Sequence, residues 1–338
     1  MHLLKERVKL KRIFGAVISL VLMMPLTNTL QAAEIMRCSH QLSPNSHIAK
    51  VIDQWAAEIE TLSENDIDVQ INGANSLVMA PRNIAAVRAG ELECAFSNNR
   101  HWTESLPLMD ITLEPFALRN VEILKKWRGS PAANLLEQKI LETGLTNVAW
   151  LFTTWRTAIT SNGRHIIKPS DFKGVRIQGL GPISNAAFEA LGAIPVDMSD
   201  KKAYVALENG DLDAGLTNVS SALSARYFEV QDHVTILPLF TLFYNGYVNT
   251  TWYNALPEKS KQAIREASAR AAIWAIEASE ISAAAAPNLL KDEDMQVYVA
   301  TQPEIEALKN IMRPAFNKKF LSTTGQLGSE LITLVDEM

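Results

Sequence analysis

The chain of 338 residues predicts an α/β protein of two similar lobes joined by a hinge, with one long helix spanning both. Three observations carry this expectation. The stretch 86-AVRAGELE-93 aligns without a gap on 206-ALENGDLD-213 at an offset of 120 positions, and each continues into an apolar run that ends in small polar residues. Around each copy, helical and extended patterns alternate as in a parallel, doubly wound sheet covered by helices. An Ala-rich segment at 267–286 is long enough, at about 1.5 Å per residue, to pass behind both lobes.

The first copy reads β-α-β-α-β. A strand at Glu34–Ser39 precedes a helix at Ser46–Ser63, where Ile48, Val51, Ile52, Trp55, Ile59 and Leu62 recur at helical spacing. A strand at Ile67–Ile71 and a helix at Pro81–Arg88 follow; Gly90 suits the left-handed residue that ends a helix, and Leu92–Phe96 is a short strand. In the second copy Trp150–Thr160 and Val175–Gln178 read as strands and Pro182–Leu191 as a helix. Pro195–Asp197 is extended, Asp200–Glu208 is helical, Gly210 ends that helix, and Leu212–Leu216 is a strand. Pro257 opens the long helix, Pro287 is expected to kink or end it, and a strand (Met295–Ala300) and two more helices finish the chain. The expected crossings lie near 153–156 and 241–247. They give a first lobe of 34–153 with 248–285 and a second of 154–247 with 286–338.

The N-terminus, residues 1–33, reads as a secretory signal peptide. Lys5, Arg7, Lys9, Lys11 and Arg12 precede an apolar segment of 12 residues, Ile13 to Met24, and small residues surround the expected cut at Ala32 or Ala33. That segment falls short of the ~20 residues of a membrane span. The mature protein is therefore expected in the periplasm. Removing a segment with five Lys/Arg and one Glu takes the formal charge from −5 to −9. Such an acidic surface argues against nucleic acid as a partner and requires any anionic ligand to be held by a few local cations. Cys38 and Cys94 lie in strand-like runs, where neighbouring parallel strands rarely support a disulfide, and are expected as buried free thiols. No Cys or His spacing resembles a metal site, and no cofactor is expected.

Ligands in open α/β sheets sit beyond the carboxyl ends of the strands. Ser97 and Asn98 stand at the end of one repeated strand, Thr217 and Asn218 at the end of the other, so a cleft between two lobes is expected there. Gln41, just past the first strand, joins them. Arg156 and Arg176 are the candidate cations, because a guanidinium set among apolar strand residues needs an anionic partner if buried. Trp155, Phe243 and Tyr244 are candidates for the face of a sugar acid or an aromatic acid.

Beyond these features, WLFTTWRTAITSN, PSDFKGVRIQG, ALGAIPVDMS, AYVALENGDLDAG and WYNALPEKSKQAI resemble the substrate-binding proteins of TRAP (tripartite ATP-independent periplasmic) transporters. The resemblance covers nearly the whole mature chain. It implies the two-lobed periplasmic-binding-protein fold, capture of a small organic acid, delivery to membrane permease subunits, and closure by hinge motion. It also implies an arginine clamp on the ligand carboxylate. Counted from Asp171-Phe172-Lys173-Gly174, the family arginine falls on Gln178, while Arg176 comes two residues earlier on the same strand face. Arg176 is thus the expected clamp, with Arg156 as the alternative and Gln178 as a neutral helper. The Glu common at the Asn98 position of sialic-acid-type members is missing.

An enzyme would need a nucleophile–base pair or a metal, and neither G-x-S-x-G nor H-E-x-x-H occurs. A sensing module using the same closure is the alternative to uptake.

Overall fold

In the computed structural model, which describes residues 33–338, β1 (Glu34–His40) leads to α1 (His47–Leu62), β2 (Ile67–Asn72), α2 (Asn83–Arg88) and β3 (Cys94–Asn98). Ile48, Val51, Ile52, Trp55 and Ile59 form the buried face of α1, as their spacing predicts. The chain continues through α3 (Val121–Trp127) and α4 (Pro131–Glu142) to β4 (Leu145–Thr154). It then crosses to a second sheet at Trp155 and Arg156. There β5 (Thr157–Ser161), β6 (Arg176–Gly179), α5 (Pro182–Glu189) and β7 (Ile194–Asp197) are followed by α6 (Asp200–Glu208), β8 (Ala214–Asn218), α7 (Val219–Ser224) and β9 (His233–Leu237). β10 (Leu242–Asn249) returns to the first sheet, and α8 (Thr250–Ala255), α9 (Glu258–Asp292), β11 (Gln296–Val299) and α10 (Gln302–Asp336) complete the chain. The expected signal peptide lies, but for Ala33, outside the described residues.

The first sheet has the strand order β2-β1-β3-β10-β4 and the second β11-β9-β5-β8-β6-β7. Read inward from β2 and from β7, they are built alike. Three parallel strands (β2-β1-β3, β7-β6-β8) are extended by two more in the first sheet and by three in the second, of which the innermost, β10 or β5, runs antiparallel to both neighbours. The sequence repeat coincides with this symmetry: β3 spans 94–98 and β8 spans 214–218, again 120 positions apart. Each begins two residues later than its pattern suggests. Gly90 (φ 75°) and Gly210 (φ 73°) both hold the left-handed conformation that favours glycine after a helix. Their N–H groups donate to the carbonyls of Val87 and Leu207, and those of Glu91 and Asp211 donate to Ala86 and Ala206.

α9 ties the lobes together. It packs on α1 and β4 of the first and on α7 and β11 of the second. Its buried face is mostly small (Ala267, Ser268, Ala271, Ala275, Ala283), which lets α1 approach closely, and Trp55 donates its indole N–H to Ser268 Oγ at 2.9 Å. Burying a large side chain such as Trp55 contributes about 1.5–3 kcal/mol or more. Pro287 does not end the helix, which runs on to Asp292 with Ala286 and Leu290 buried on either side.

Four expectations are corrected. The run Trp150–Thr160 is not one strand but β4 and β5, broken where the chain changes sheets. Residues 242–247 belong to the first lobe, because β10 pairs with β3 and β4; the second crossing is therefore at 238–241. The C-terminal segment does not belong to the second lobe alone. α10 packs on α5, but also on α4 and the segment Pro107–Leu113 of the first lobe, next to which Arg313 pairs with the buried Glu114 at 2.7 Å. Finally, Cys38 and Cys94 form a disulfide instead of remaining free thiols. They are register partners on adjacent parallel strands with Cα atoms 4.3 Å apart, so both side chains leave the sheet on the same face.

Candidate functional site

The ends of the two repeated strands meet at one cavity between the lobes. It has a volume of about 70 Å³ and is lined by Asn98 at the end of β3 and Arg100 just past it, Thr217 and Asn218 of β8, Leu180 past β6, and Thr153 and Tyr244 of β4 and β10. The first turn of α1 (Ser46, His47, Ile48) closes one side. A wider mouth of about 390 Å³ shares Ser46, His47, Ser221 and Tyr244 with it and adds Gln41, Asn45 and Ser282. The lining is thus rich in hydroxyl and amide groups.

Among the described residues lining the cleft and its mouth there is no Asp or Glu, and Arg100 is the one Lys or Arg. Arg100 is positioned by its own backbone, whose N–H donates to Asn98 Oδ1 at 3.1 Å. His47 sits 3.0 Å (Nε2) from Ser279 Oγ, and burial holds its pKa below the ordinary histidine value, so it adds no positive charge at neutral pH. Asn218 mirrors Asn98 by accepting the Ser221 N–H at 2.8 Å, which caps α7. In both asparagines the Oδ1 atom shapes the loop, and the amide Nδ2 is the donor left for a ligand. Gln41 Nε2 lies 3.5 Å from Tyr244 Oη and 3.4 Å from His101 Nε2.

Arg176 is not at this cleft. It stands at the start of β6, three residues before the strand's inner end, and clasps Asp213. Its backbone N–H and Nε donate to Asp213 Oδ2 at 2.8 and 3.0 Å, and Nη2 to Oδ1 at 2.6 Å. Nη2 also donates to the Gly210 carbonyl at 2.8 Å. The first lobe contains the same clasp. Arg37 uses its backbone N–H and Nε on Glu93 Oε2, both at 2.9 Å, and Nη2 on Oε1 at 2.7 Å. Glu93 and Asp213 are the repeat's matching acids, and the next residues, Cys38 and Ile177, pair with Cys94 and Ala214. Arg176 is therefore a strand-start fastener with a permanent internal acid. The bidentate contact also holds the Asp213 carboxyl below the usual carboxylate range, its hydrogen bonds outweighing desolvation.

The other expected residues divide in the same way. Asn98, Thr217, Asn218, Tyr244 and Gln41 line the cleft or its mouth. Arg156 and Trp155 line a different cavity, with Arg156 Nη2 3.4 Å from Glu280 and its guanidinium 4.8 Å from the Trp155 ring centre. Ser97 Oγ bonds Tyr247 Oη at 2.7 Å inside the first lobe. Phe243 is wholly buried among Trp127, Trp150 and Phe152. Gln178 is buried within β6 and touches neither the cleft nor its mouth. Sequence reasoning missed Arg100, although it follows Asn98 by two residues in 97-SNNRHW-102; His47 was hidden inside a helical pattern.

Two lobes of repeated topology, linked by a hinge and meeting at a polar cleft, define a two-lobed solute-binding protein. The family model of the bacterial extracellular solute-binding proteins, family 7, matches residues 38–323, and the chain belongs to that family. A solute-binding protein of Albidiferax ferrireducens is 25% identical over 63% of this chain and 64% of its own. The 2,3-diketo-L-gulonate-binding periplasmic protein YiaO of Escherichia coli is 23% identical over 91% of this chain and 93% of its own. The C4-dicarboxylate-binding periplasmic protein DctP of Rhodobacter capsulatus is 23% identical over 96% of this chain and 97% of its own. Among solved structures, a TRAP periplasmic solute-binding protein of Desulfovibrio salexigens with bound orotic acid superposes with a TM-score of 0.84, at 21% identity over 90% of this chain and 97% of that one. One of Rhodoferax ferrireducens with bound malonate gives 0.83, at 20% identity over 89% and 97%. At these identities the structures show the shared fold.

Proposed function

We propose that the protein captures a small organic acid in the periplasm, closes its lobes around it, and delivers it to the permease subunits of a TRAP transporter. One observation carries the reading: the inter-lobe cleft contains an arginine and many neutral donors but no acidic side chain among its described lining residues. A carboxylate entering it meets Arg100, the amides of Asn98 and Asn218, the Thr217 hydroxyl, and the N-terminal turn of α1, which no side chain caps. Helix N-termini favour anions through their aligned peptide dipoles and N–H groups. Because Asn98 and Asn218 come from different lobes, a ligand touching both favours the narrowed cleft by its differential affinity for that state.

The names of relatives that bind C4-dicarboxylates and 2,3-diketo-L-gulonate, and the neighbours holding malonate and orotic acid, support the acid class. The family supports a binding role over catalysis and export over retention. Arg100 takes the role that the resemblance places at Gln178. The test is a thermal-shift screen of organic acids, followed by calorimetric titration of the best ligand and of its amide. An acid at about 100 times its Kd should add about 2.7 kcal/mol of stability. If the amide binds as tightly as the acid, there is no carboxylate clamp.

A further inference from the structure

Behind the strand ends lies a cavity of about 550 Å³ that shares no lining residue with the cleft or its mouth. Every link between the two sheets contributes a wall. Trp155 and Arg156 join β4 to β5, Pro238 lies between β9 and β10, and Pro287 belongs to α9, the helix that spans both lobes. α10 adds Ile305 and Lys309, and a loop of the first lobe adds Phe116 and Arg119.

The lining is apolar with a cationic rim. Arg119, Arg156 and Lys309 face one lining acid, Glu306, in a chain whose overall charge is negative. Their internal contacts are long. Arg156 lies 3.4 Å from Glu280, Lys309 lies 3.8 Å from Glu306, and Arg119 Nη1 reaches the Ala117 carbonyl at 3.5 Å. The Trp155 indole N–H is shielded from solvent and has no hydrogen-bond partner among the described residues, a costly state for a buried donor. Phe116 holds a left-handed backbone (φ 62°), unusual for an aromatic residue, with its N–H donating to the Leu239 carbonyl of the β9–β10 link at 2.9 Å. The volume lies within the range of small-molecule sites, roughly 300–1,000 Å³.

We propose that this cavity binds a small aromatic or otherwise apolar anion, and that its occupant stabilises the narrowed cleft. The ligand's apolar body packs on Phe116, Trp155 and Ile305, and its anionic group meets the three cations. The coupling follows from position. The cavity has this size in a conformation whose cleft has a volume of about 70 Å³, and its walls are the segments that link the two sheets and would move if the lobes parted. A ligand that fits this arrangement and not the parted one shifts the population toward it.

The test uses 8-anilinonaphthalene-1-sulfonate, an aromatic anion whose fluorescence rises on apolar surfaces, with no acid present for the cleft. Saturable one-to-one binding is expected. The double variant Arg119→Glu, Lys309→Glu should weaken it at least tenfold, while Arg128→Glu, at a separate apolar cavity beside Trp127, should leave it unchanged. Ala300→Trp, which fills the hinge cavity without altering its charge, should also abolish binding. Small-angle scattering should show a smaller radius of gyration with the probe bound to the parent protein. Binding that is not saturable, or that survives both the charge reversal and the filled cavity, overturns the site. Specific binding with an unchanged radius of gyration overturns the coupling. Since the experiment leaves the cleft empty, its failure is separate from any failure of the organic-acid reading.

Discussion

The two lobes solve the same folding problem with one difference at its centre. In each, a helix ends on a left-handed glycine, an acid three residues later clasps an arginine on the neighbouring strand, and the strand then runs to an asparagine at the cleft. In the first lobe the residues just above the clasp are Cys38 and Cys94, covalently joined. In the second, Ile177 and Ala214 fill the same register positions, both fully buried and held by packing alone. The strand ends differ to match. β3 continues into Arg100, a cation at the cleft, whereas β8 offers Thr217 and Asn218, which are neutral. The first lobe is thus the stapled one and, among the described lining residues, carries the charge; the second presents adaptable hydrogen bonds. Symmetry of backbone does not imply symmetry of function.

The sharpest way to break this contrast is to remove the staple. Crosslinking residues 56 apart removes loop-closure entropy from the unfolded chain, about 4 kcal/mol at that spacing. The double variant Cys38→Ala, Cys94→Ala should therefore lose about that much stability in denaturant titration. If its midpoint stays near the parent's, register and packing alone hold the first lobe, as they do the second.

The first lobe also hides a carboxyl in the segment that follows its strand end. Asp110 is buried, bonded by Thr103 Oγ1 at 2.7 Å, and desolvation pushes its pKa up to about 7, the hydrogen bond opposing this only partly. The folded protein therefore holds this proton more tightly than the unfolded chain. No penalty exists below pH ~4; it grows as pH rises from there to ~7 and is complete above, amounting to a few kcal/mol at 1.36 kcal/mol per pH unit. Asp110→Asn should raise the melting temperature at pH 8 and leave it unchanged at pH 4. An equal shift at both pH values would show that the effect is packing rather than charge.

At the cleft the asymmetry predicts unequal arginines. Arg100→Ala should weaken acid binding roughly ten- to a hundredfold, the value of one or two charge-assisted hydrogen bonds. Arg176→Ala should leave the affinity within about twofold, because its partner is Asp213. Calorimetry on both variants decides; the reverse ranking would restore Arg176 as the clamp.

The smallest effect concerns the clasps themselves. Arg37→Ala should lower the melting temperature slightly more than Arg176→Ala, since Glu93 is better shielded from solvent than Asp213. Thermal unfolding in low and high salt checks this, and equal losses would erase the difference between the lobes at that level.

Much of this is legible in the sequence. The repeat located both lobes, both left-handed glycines and both strand ends, because helical period and glycine chemistry are local properties of the chain. Asn98, Thr217 and Asn218 were found by that route. The crossing at 238–241 was not, because β10 could have joined either sheet; only its pairing with β3 and β4 assigned it.

By itself, then, the sequence determined the alternation of elements, the duplicated unit and the strand ends that line the cleft. Tertiary structure decided which charges arrive there. Arg176 and the cleft lie at opposite ends of β6, three residues apart at about 3.3 Å each, and residues two apart on a strand share a face but not an end. Likewise, Cys38 and Cys94 are 56 positions apart in sequence, and only the pairing of β1 with β3 set them side by side. Local pattern fixes which face a side chain leaves from; how far along the sheet it stands, and opposite what, depends on register with strands that are distant in the chain.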